Sequence, residues 1–117
     1  MSEALRAVRH DLGKYVSFHL RWLPEGATDD ELLDALRNDV VATRRGPAGT
    51  ESAPAIWTRL RPTVEDLDVS AIDQDIAILS AHIDGLESGE IDHDALLACA
   101  AAARRISAEL TRLYKES

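Results

Sequence analysis

The sequence predicts an all-α protein, an antiparallel four-helix bundle with a short extra helix in one connector. Hydrophobic residues make up 45% of the chain but aromatic residues only 4%, so the core must consist mainly of aliphatic side chains, as is usual in helix bundles. Apolar residues also recur at spacings of three and four, the pattern of a helix with one buried face. With 117 residues, we expect residues 1–117 to form one domain around one core.

The first helix is predicted over residues 3–23, where the apolar spacing begins. Pro24 and Gly26 interrupt that pattern, because proline and glycine are both unfavourable inside a helix. The predicted buried positions of this helix are Leu5, Val8, Leu12, Tyr15, His19 and Trp22, flanked by Val16, Leu20 and Leu23.

The second helix is predicted to begin at Thr28. Thr28 and Glu31 have the spacing of a capping box, in which each side chain bonds a backbone N–H of the other residue. The helix is then expected to continue to Arg44 and Arg45, because positive charges stabilise a helix C-terminus. Residues 46–47, Gly-Pro, are a typical stop signal.

The connector, about residues 46–68, contains three of the four prolines. Regular structure is therefore hardest to place here. Residues 52–60 nevertheless have the pattern of a short helix, with Ser52 as its N-cap and Pro54 in its first turn. Trp57 is predicted to cover one end of the bundle.

The third and fourth helices have the most regular spacing in the chain. The third is predicted from Val69 to Gly89 and the fourth from an N-cap at Asp92. Because the loop between them is short, the two helices should form an antiparallel hairpin. Their predicted buried positions are Val69, Ile72, Ile76, Leu79, Ile83 and Leu86 in the third helix, and Leu96, Cys99, Ala103, Ile106, Leu110 and Leu113 in the fourth.

The net charge and the apolar pattern indicate which classes of partner the protein is expected to bind. A formal net charge of -8 disfavours electrostatic binding to nucleic acid or to an anionic membrane. No apolar run approaches membrane-spanning length, no signal-peptide pattern is visible, and the lone Cys99 has no internal partner for a disulfide. We therefore expect a cytoplasmic protein with a protein partner, and the sequence leaves open whether the chain forms a homodimer.

The stretch AVRHDLGKY, residues 7–15, is the main candidate for a functional site. His10 is expected on the exposed side of the first helix, where Arg6 and Lys14 lie four residues away on either side and Arg9 is adjacent. These cations would attract a phosphoryl group on His10, and Asp11 is positioned to orient the imidazole. Gly13 costs about 1 kcal/mol relative to alanine inside a helix, which suggests that a docking partner approaches the backbone there.

The residues Arg9-His10-Asp11 resemble the H-box of bacterial sensor histidine kinases, in the subgroup written R-H-D-x-x-N. Lys14 occupies the asparagine position of that motif. The stretch is also similar to the H-x-L-K-G motif of histidine phosphotransfer domains, with the last two residues interchanged. The resemblance implies that His10 is a phosphoacceptor and that Asp11 is its acid/base neighbour. The protein would then be a histidine phosphotransfer domain, or a degenerate one that acts through protein docking, and its partner a receiver domain or another signalling protein. We predict no cofactor.

Two alternatives compete with phosphotransfer through His10. In the first, the protein is a non-enzymatic adaptor whose helices bind a protein partner while His10 has no chemical role. In the second, the string His10-Asp11-x-Gly13-Lys14 resembles the metal-dependent phosphohydrolases of the HD superfamily, which would imply a bound divalent metal ion.

The other polar candidates have simpler explanations. His19 is interpreted as a histidine at the core edge bonded to a neighbour, whereas His82 and His93 are interpreted as solvated surface. Glu31 is explained by its capping role, which leaves Asp34 without a paired carboxylate site. Cys99 is expected to be a small buried hydrophobe, and we predict no metal site.

Overall fold

The structure, a computed structural model, describes residues 3–116 and is predominantly helical, as predicted. A small two-stranded antiparallel sheet, which the sequence did not predict, interrupts the helices. The elements are α1 (Glu3–Val8), α2 (Asp29–Leu36), β1 (Arg44–Gly46), β2 (Gly49–Glu51), α3 (Ala53–Leu60), α4 (Ser70–Ser88) and α5 (His93–Glu116). Single turns of other helix types are π turns at Arg9–Gly13 and Arg37–Val41 and 3-10 turns at Leu20–Trp22 and Arg61–Val64.

The first helix is not continuous over residues 3–23. A π turn follows α1, and in it the Lys14 N–H donates to the Arg9 carbonyl at 3.0 Å. Because a π turn spans one residue more than an α turn, the buried positions beyond it move by one. Val16 and Leu20 are buried where the unbroken spacing predicted Tyr15 and His19.

Trp22 is the clearest error in the predicted core of this first segment, residues 3–23. Its side chain was placed on the buried face, but it is 73% exposed. Leu23 packs against the core instead, which is the same displacement by one residue. The exposed tryptophan is therefore a consequence of the break in the helix after α1, where the π turn is followed by irregular turns and a 3-10 turn.

The second helix begins as predicted and ends earlier than predicted. Thr28 Oγ1 accepts from the Glu31 N–H at 3.2 Å, and Glu31 Oε1 accepts from the Thr28 N–H at 3.1 Å, which completes the capping box. The helix closes with the π turn at Arg37–Val41. Arg44 and Arg45 lie in β1 and pair with Glu51 and Thr50, so they belong to a hairpin and not to a helix C-terminus.

The connector therefore begins inside a β-hairpin and is more regular than predicted. The short helix α3 was predicted over residues 52–60 and is confirmed, with Ser52 Oγ accepting from the Ala55 N–H at 3.2 Å. Trp57 is buried, and its Nε1 donates to Asp73 Oδ1 on α4 at 2.7 Å. This bond fixes α3 against α4.

Helices α4 and α5 form the predicted antiparallel hairpin. α4 ends at Gly89, whose φ of +83° is a left-handed conformation that glycine adopts easily. Asp92 caps α5 by accepting from the Ala95 N–H at 2.8 Å. Farther along the hairpin, Arg105 Nη2 lies 2.8 Å from Asp75 Oδ1.

The π turn after α2 places a carboxylate inside the protein. Asp39 is fully buried, and its two oxygens accept from the backbone N–H groups of His19 and Leu20, each at 2.9 Å. The His19 ring is also bonded to it, with Nδ1 at 2.7 Å from Asp39 Oδ1. His19 is thus bonded to a neighbour, as predicted, but its side chain is half exposed and does not lie on the buried face. Asp39 anchors the first segment to the end of the second helix.

Replacing Asp39 with alanine should strongly destabilise the fold. Two backbone N–H groups would lose their acceptor, and a buried group without its partner costs about 1–3 kcal/mol. We expect the free energy of unfolding of Asp39→Ala, measured by urea denaturation, to fall by about 3 kcal/mol. The matched control is Asp34→Ala, at an exposed position of α2, which should change it by less than about 0.5 kcal/mol. Equal losses in the two variants would contradict the anchoring role of Asp39.

Candidate functional site

His10 lies in the π turn that follows α1, with its side chain 53% exposed. Its Nδ1 is 2.9 Å from Asp11 Oδ1. When Nδ1 carries the ring proton and donates it to the carboxylate, the lone pair of a neutral imidazole is on Nε2. Within residues 3–116, Nε2 has no hydrogen-bond partner. The ring is thus oriented through one nitrogen and open to solvent at the other.

Asp11 is held by residues that are distant in the sequence. Arg44 Nη1, from β1, forms an ion pair with Asp11 Oδ1, the same oxygen that faces His10. Arg59 Nη2, from α3, is 3.9 Å from the other carboxylate oxygen and also binds Glu51 at 3.1 Å. The carboxylate is mostly buried. Asp11 therefore connects the His10 turn to both the hairpin and α3.

The predicted cationic ridge around His10 is present. Arg6 and Lys14 are exposed, and Arg9 is half-buried with its guanidinium 4.4 Å from the centroid of the Tyr114 ring. A surface depression of about 230 Å³ lies between these side chains. Its lining residues are Arg6, Arg9, His10, Lys14 and Tyr114, none of which is acidic. An anion in this depression would have Arg6, Arg9 and Lys14 as neighbours. A second depression beside His10 is lined by Glu3 and Asp11 as well as Arg6.

Gly13 differs from its predicted role. It is buried, and a Cβ atom at this position would lie 3.2 Å from Leu110 Cδ1 on α5. The Ser107 hydroxyl, also on α5, donates to the Gly13 carbonyl at 3.3 Å. Gly13 thus allows α5 to approach the first segment closely, and it does not share the exposed face of Arg6, His10 and Lys14.

His93 has nearly the same local geometry as His10 but the opposite electrostatic setting. Its Nδ1 is 2.6 Å from Asp29 Oδ1, and the ring is exposed, as predicted. The hydrogen bond to Asp29 is the largest cause that raises the pKa of His93, and the negative charges of Asp29, Asp94 and Asp92 add to it. His93 is thus an exposed His–Asp pair among carboxylates, whereas His10 is an exposed His–Asp pair with three cations along one side.

Glu31 and Cys99 agree with their structural interpretations, whereas His82 is half-buried and not fully solvated. Glu31 caps α2, and burial raises the pKa of the Cys99 thiol to about 11, which disfavours the reactive thiolate. Across the part of the chain that the structure describes, no three His, Cys, Asp or Glu side chains lie close enough to hold a metal ion. Among the described helices, none combines the length and apolar character that crossing a membrane requires.

Two arginines of the site were missed by sequence reasoning. Arg44 was assigned to a helix end, and Arg59 was not considered. Arg44 lies 33 positions from Asp11, so no local spacing indicates their contact. The only general signal was chemical, because the planar guanidinium group of arginine suits ion pairing with carboxylates.

The pKa of His93 should depend on Asp29. In Asp29→Asn the ring loses its ionic partner, so the pKa followed by NMR titration of the imidazole protons should fall towards its ordinary value near 6.5. Because the folded-state pKa of His93 is raised, the pair stabilises the fold below the unfolded pKa, and this contribution disappears as the pH rises through the folded pKa. Asp30→Asn, at an exposed neighbour, is the control. A pKa that falls equally in both variants would contradict the specific pairing.

Similarity to other proteins adds no assignment to this site. Searches of family models, curated proteins and solved structures find no match to this chain. The residues around His10 and the surfaces beside them are therefore the basis for a functional assignment.

Proposed function

We propose that this protein is a small cytoplasmic signalling protein that accepts and relays a phosphoryl group on Nε2 of His10. The observation that carries the proposal is the pairing of His10 Nδ1 with Asp11 at 2.9 Å, which leaves Nε2 exposed beside Arg6, Arg9 and Lys14. The resemblance of Arg9-His10-Asp11 to an H-box agrees with this role. The proposed partner is a receiver domain that carries the phosphate on an aspartate.

The proposed chemistry uses each neighbour of His10. Nε2 attacks the phosphorus atom, an N–P bond forms, and the P–O bond to the donor carboxylate breaks with its electron pair on the carboxylate. The imidazole becomes positively charged in this step, and Asp11 stabilises that charge through Nδ1, as a triad carboxylate does. Arg6 and Lys14 stabilise the phosphoryl oxygens. Transfer to a second partner reverses the same bonds.

In the proposed arrangement, an antiparallel four-helix bundle consists of the first segment, α2, α4 and α5. The short extra helix is α3. Two contacts support the antiparallel placement of the first segment beside α5. Gly13 faces Leu110. Arg9, four residues before Gly13, stacks on Tyr114, four residues after Leu110. In this arrangement α5 supports the turn that carries His10 from behind.

The test is phosphorylation by phosphoramidate, followed by intact mass and by peptide mapping under conditions that preserve acid-labile phosphate. We expect one phosphoryl group on the parent, none at this site in His10→Gln, and unchanged phosphorylation of His10 in His93→Gln. His93 is the matched control because it has the same His–Asp geometry without the cations. Phosphorylation of His10 and His93 at equal rates in the parent, or of neither, would contradict the proposal.

The role of Asp11 can be measured in the same assay. Asp11→Asn should slow phosphorylation of His10 by about tenfold, equivalent to about 1.4 kcal/mol in the barrier, because the cationic ring loses its counter-charge. Since Asp11 also pairs with Arg44, the thermal unfolding midpoint of this variant is measured alongside. An unchanged rate in a folded Asp11→Asn protein would exclude the proposed role of the carboxylate.

The adaptor alternative is favoured by a different observation. Among the described residues, Phe18, Trp22 and Leu97 are large apolar side chains that are exposed, and a contiguous exposed apolar patch is typical of a protein-binding face. For an adaptor, a partner co-purified with the parent should be retained by His10→Gln and lost with Trp22→Ser or Leu97→Ser. For a phosphotransfer protein, phosphate exchange with that partner should instead be lost with His10→Gln.

A further inference from the structure

A second groove lies between the first segment and α5, beside the His10 depression. Its volume is about 470 Å³. Lys14, Phe18 and Arg21 border it with exposed side chains, whereas its other described lining residues are half-buried or buried. The full lining consists of Arg9, Gly13, Lys14, Tyr15, Phe18, Arg21, Ser107 and Thr111.

The lining of this groove is positively charged, whereas the chain as a whole is negatively charged. Arg9, Lys14 and Arg21 contribute three positive charges, and none of the lining residues is acidic, although the protein has a net charge of -8. Such a local reversal of sign indicates complementarity to an anionic partner, because charged interfaces are arranged with opposite potentials.

Two of the three cations are oriented by aromatic rings. The Arg9 guanidinium lies over Tyr114 at 4.4 Å, and the Arg21 guanidinium lies over Phe18 at 5.7 Å from the ring centroid. Such cation–π contacts hold the guanidinium groups near one geometry before a ligand binds. A carboxylate that enters the groove would therefore meet arginines whose side-chain freedom is already reduced, which lowers the entropy cost of binding.

The groove also offers apolar surface. Phe18 is 44% exposed, and Tyr15 is half-buried beside it. Aromatic residues together with arginine are enriched at the centres of protein interfaces. A suitable occupant must therefore combine an apolar face, which packs on Phe18, with carboxylates that reach Arg9, Lys14 and Arg21.

We propose that this groove is the docking site for an acidic amphipathic helix of a partner protein. Arg9 lies in the π turn and Arg21 in the 3-10 turn, so the cations are distributed along the first segment, as the carboxylates on one face of a bound helix would be. An open groove suits a peptide segment better than a small molecule, since small-molecule sites enclose most of the ligand surface. The inference specifies the partner surface of the proposed signalling role and does not use the chemistry of His10.

The test uses a fluorescein-labelled helical peptide of defined design as the probe. The peptide has leucines on one face and glutamates on the others, and the control peptide has lysine at every glutamate position. Fluorescence anisotropy should show binding of the acidic peptide to the full chain and no binding of the basic one. Raising the salt concentration should weaken the binding, because exposed charges are screened.

Variants of the full chain locate the binding. Arg21→Glu should weaken binding at least tenfold by reversing a charge in the groove, and Phe18→Ala should weaken it several-fold by removing the apolar contact. Arg104→Glu is the matched control, because Arg104 is an exposed arginine of α5 outside this groove, and it should change binding less than twofold. Circular dichroism of each variant verifies folding.

Several results would overturn the proposal. One is that the acidic peptide does not bind the parent, and another is that the basic peptide binds equally well. A third is that Arg104→Glu and Arg21→Glu weaken binding equally. A fourth is that inorganic phosphate displaces the peptide more than sodium chloride does at the same ionic strength. The last result would identify a simple anion site. Phosphorylation of His10 is measured on Arg21→Glu as well: retained phosphorylation together with lost peptide binding separates this inference from the proposed function.

Discussion

The buried carboxylate of Asp39 is the interaction on which the arrangement of this protein most depends. It accepts the backbone N–H groups of His19 and Leu20 and bonds the His19 ring. A carboxylate without partners would be costly to bury, so the N–H groups of His19 and Leu20 must lie beside Asp39. This requirement fixes the position of the end of the first segment relative to the end of the second helix. This contact holds the first segment against the core after its regular helix has ended, and the segment carries His10 as well as Phe18 and Arg21.

The site around His10 depends on a second long-range carboxylate. Asp11 faces His10 on one side and Arg44 on the other through the same oxygen atom. The hairpin of β1 and β2 thus has a structural connection to the proposed phosphoacceptor, although the hairpin lies far from it in sequence. A histidine next to an aspartate is common at protein surfaces. The arginines from β1 and α3 are what hold this aspartate in place.

His10 and His93 make similar contacts with an aspartate but have different charged neighbours. Both rings lie close to an aspartate through Nδ1 and both are exposed. His93 is surrounded by carboxylates that favour a proton on its ring, whereas the depression between His10 and Tyr114 is lined by cations. The spacing of Arg6, His10 and Lys14 is a local feature of the sequence. The sequence analysis misjudged Gly13, because the close approach of Leu110 is a tertiary contact.

The sequence by itself determined the features whose causes lie within a few residues. They include the capping box at Thr28, the N-caps at Ser52 and Asp92, the stop at Gly89 and the apolar spacing of α4 and α5. The tertiary structure decided the π turn that moves the buried face to Val16 and Leu20, the burial of Asp39 and the hairpin that includes Arg44. The physical reason is the range of the interactions. Caps and helix hydrogen bonds join residues three to five positions apart, whereas a buried carboxylate and its donors come together only after distant segments have packed.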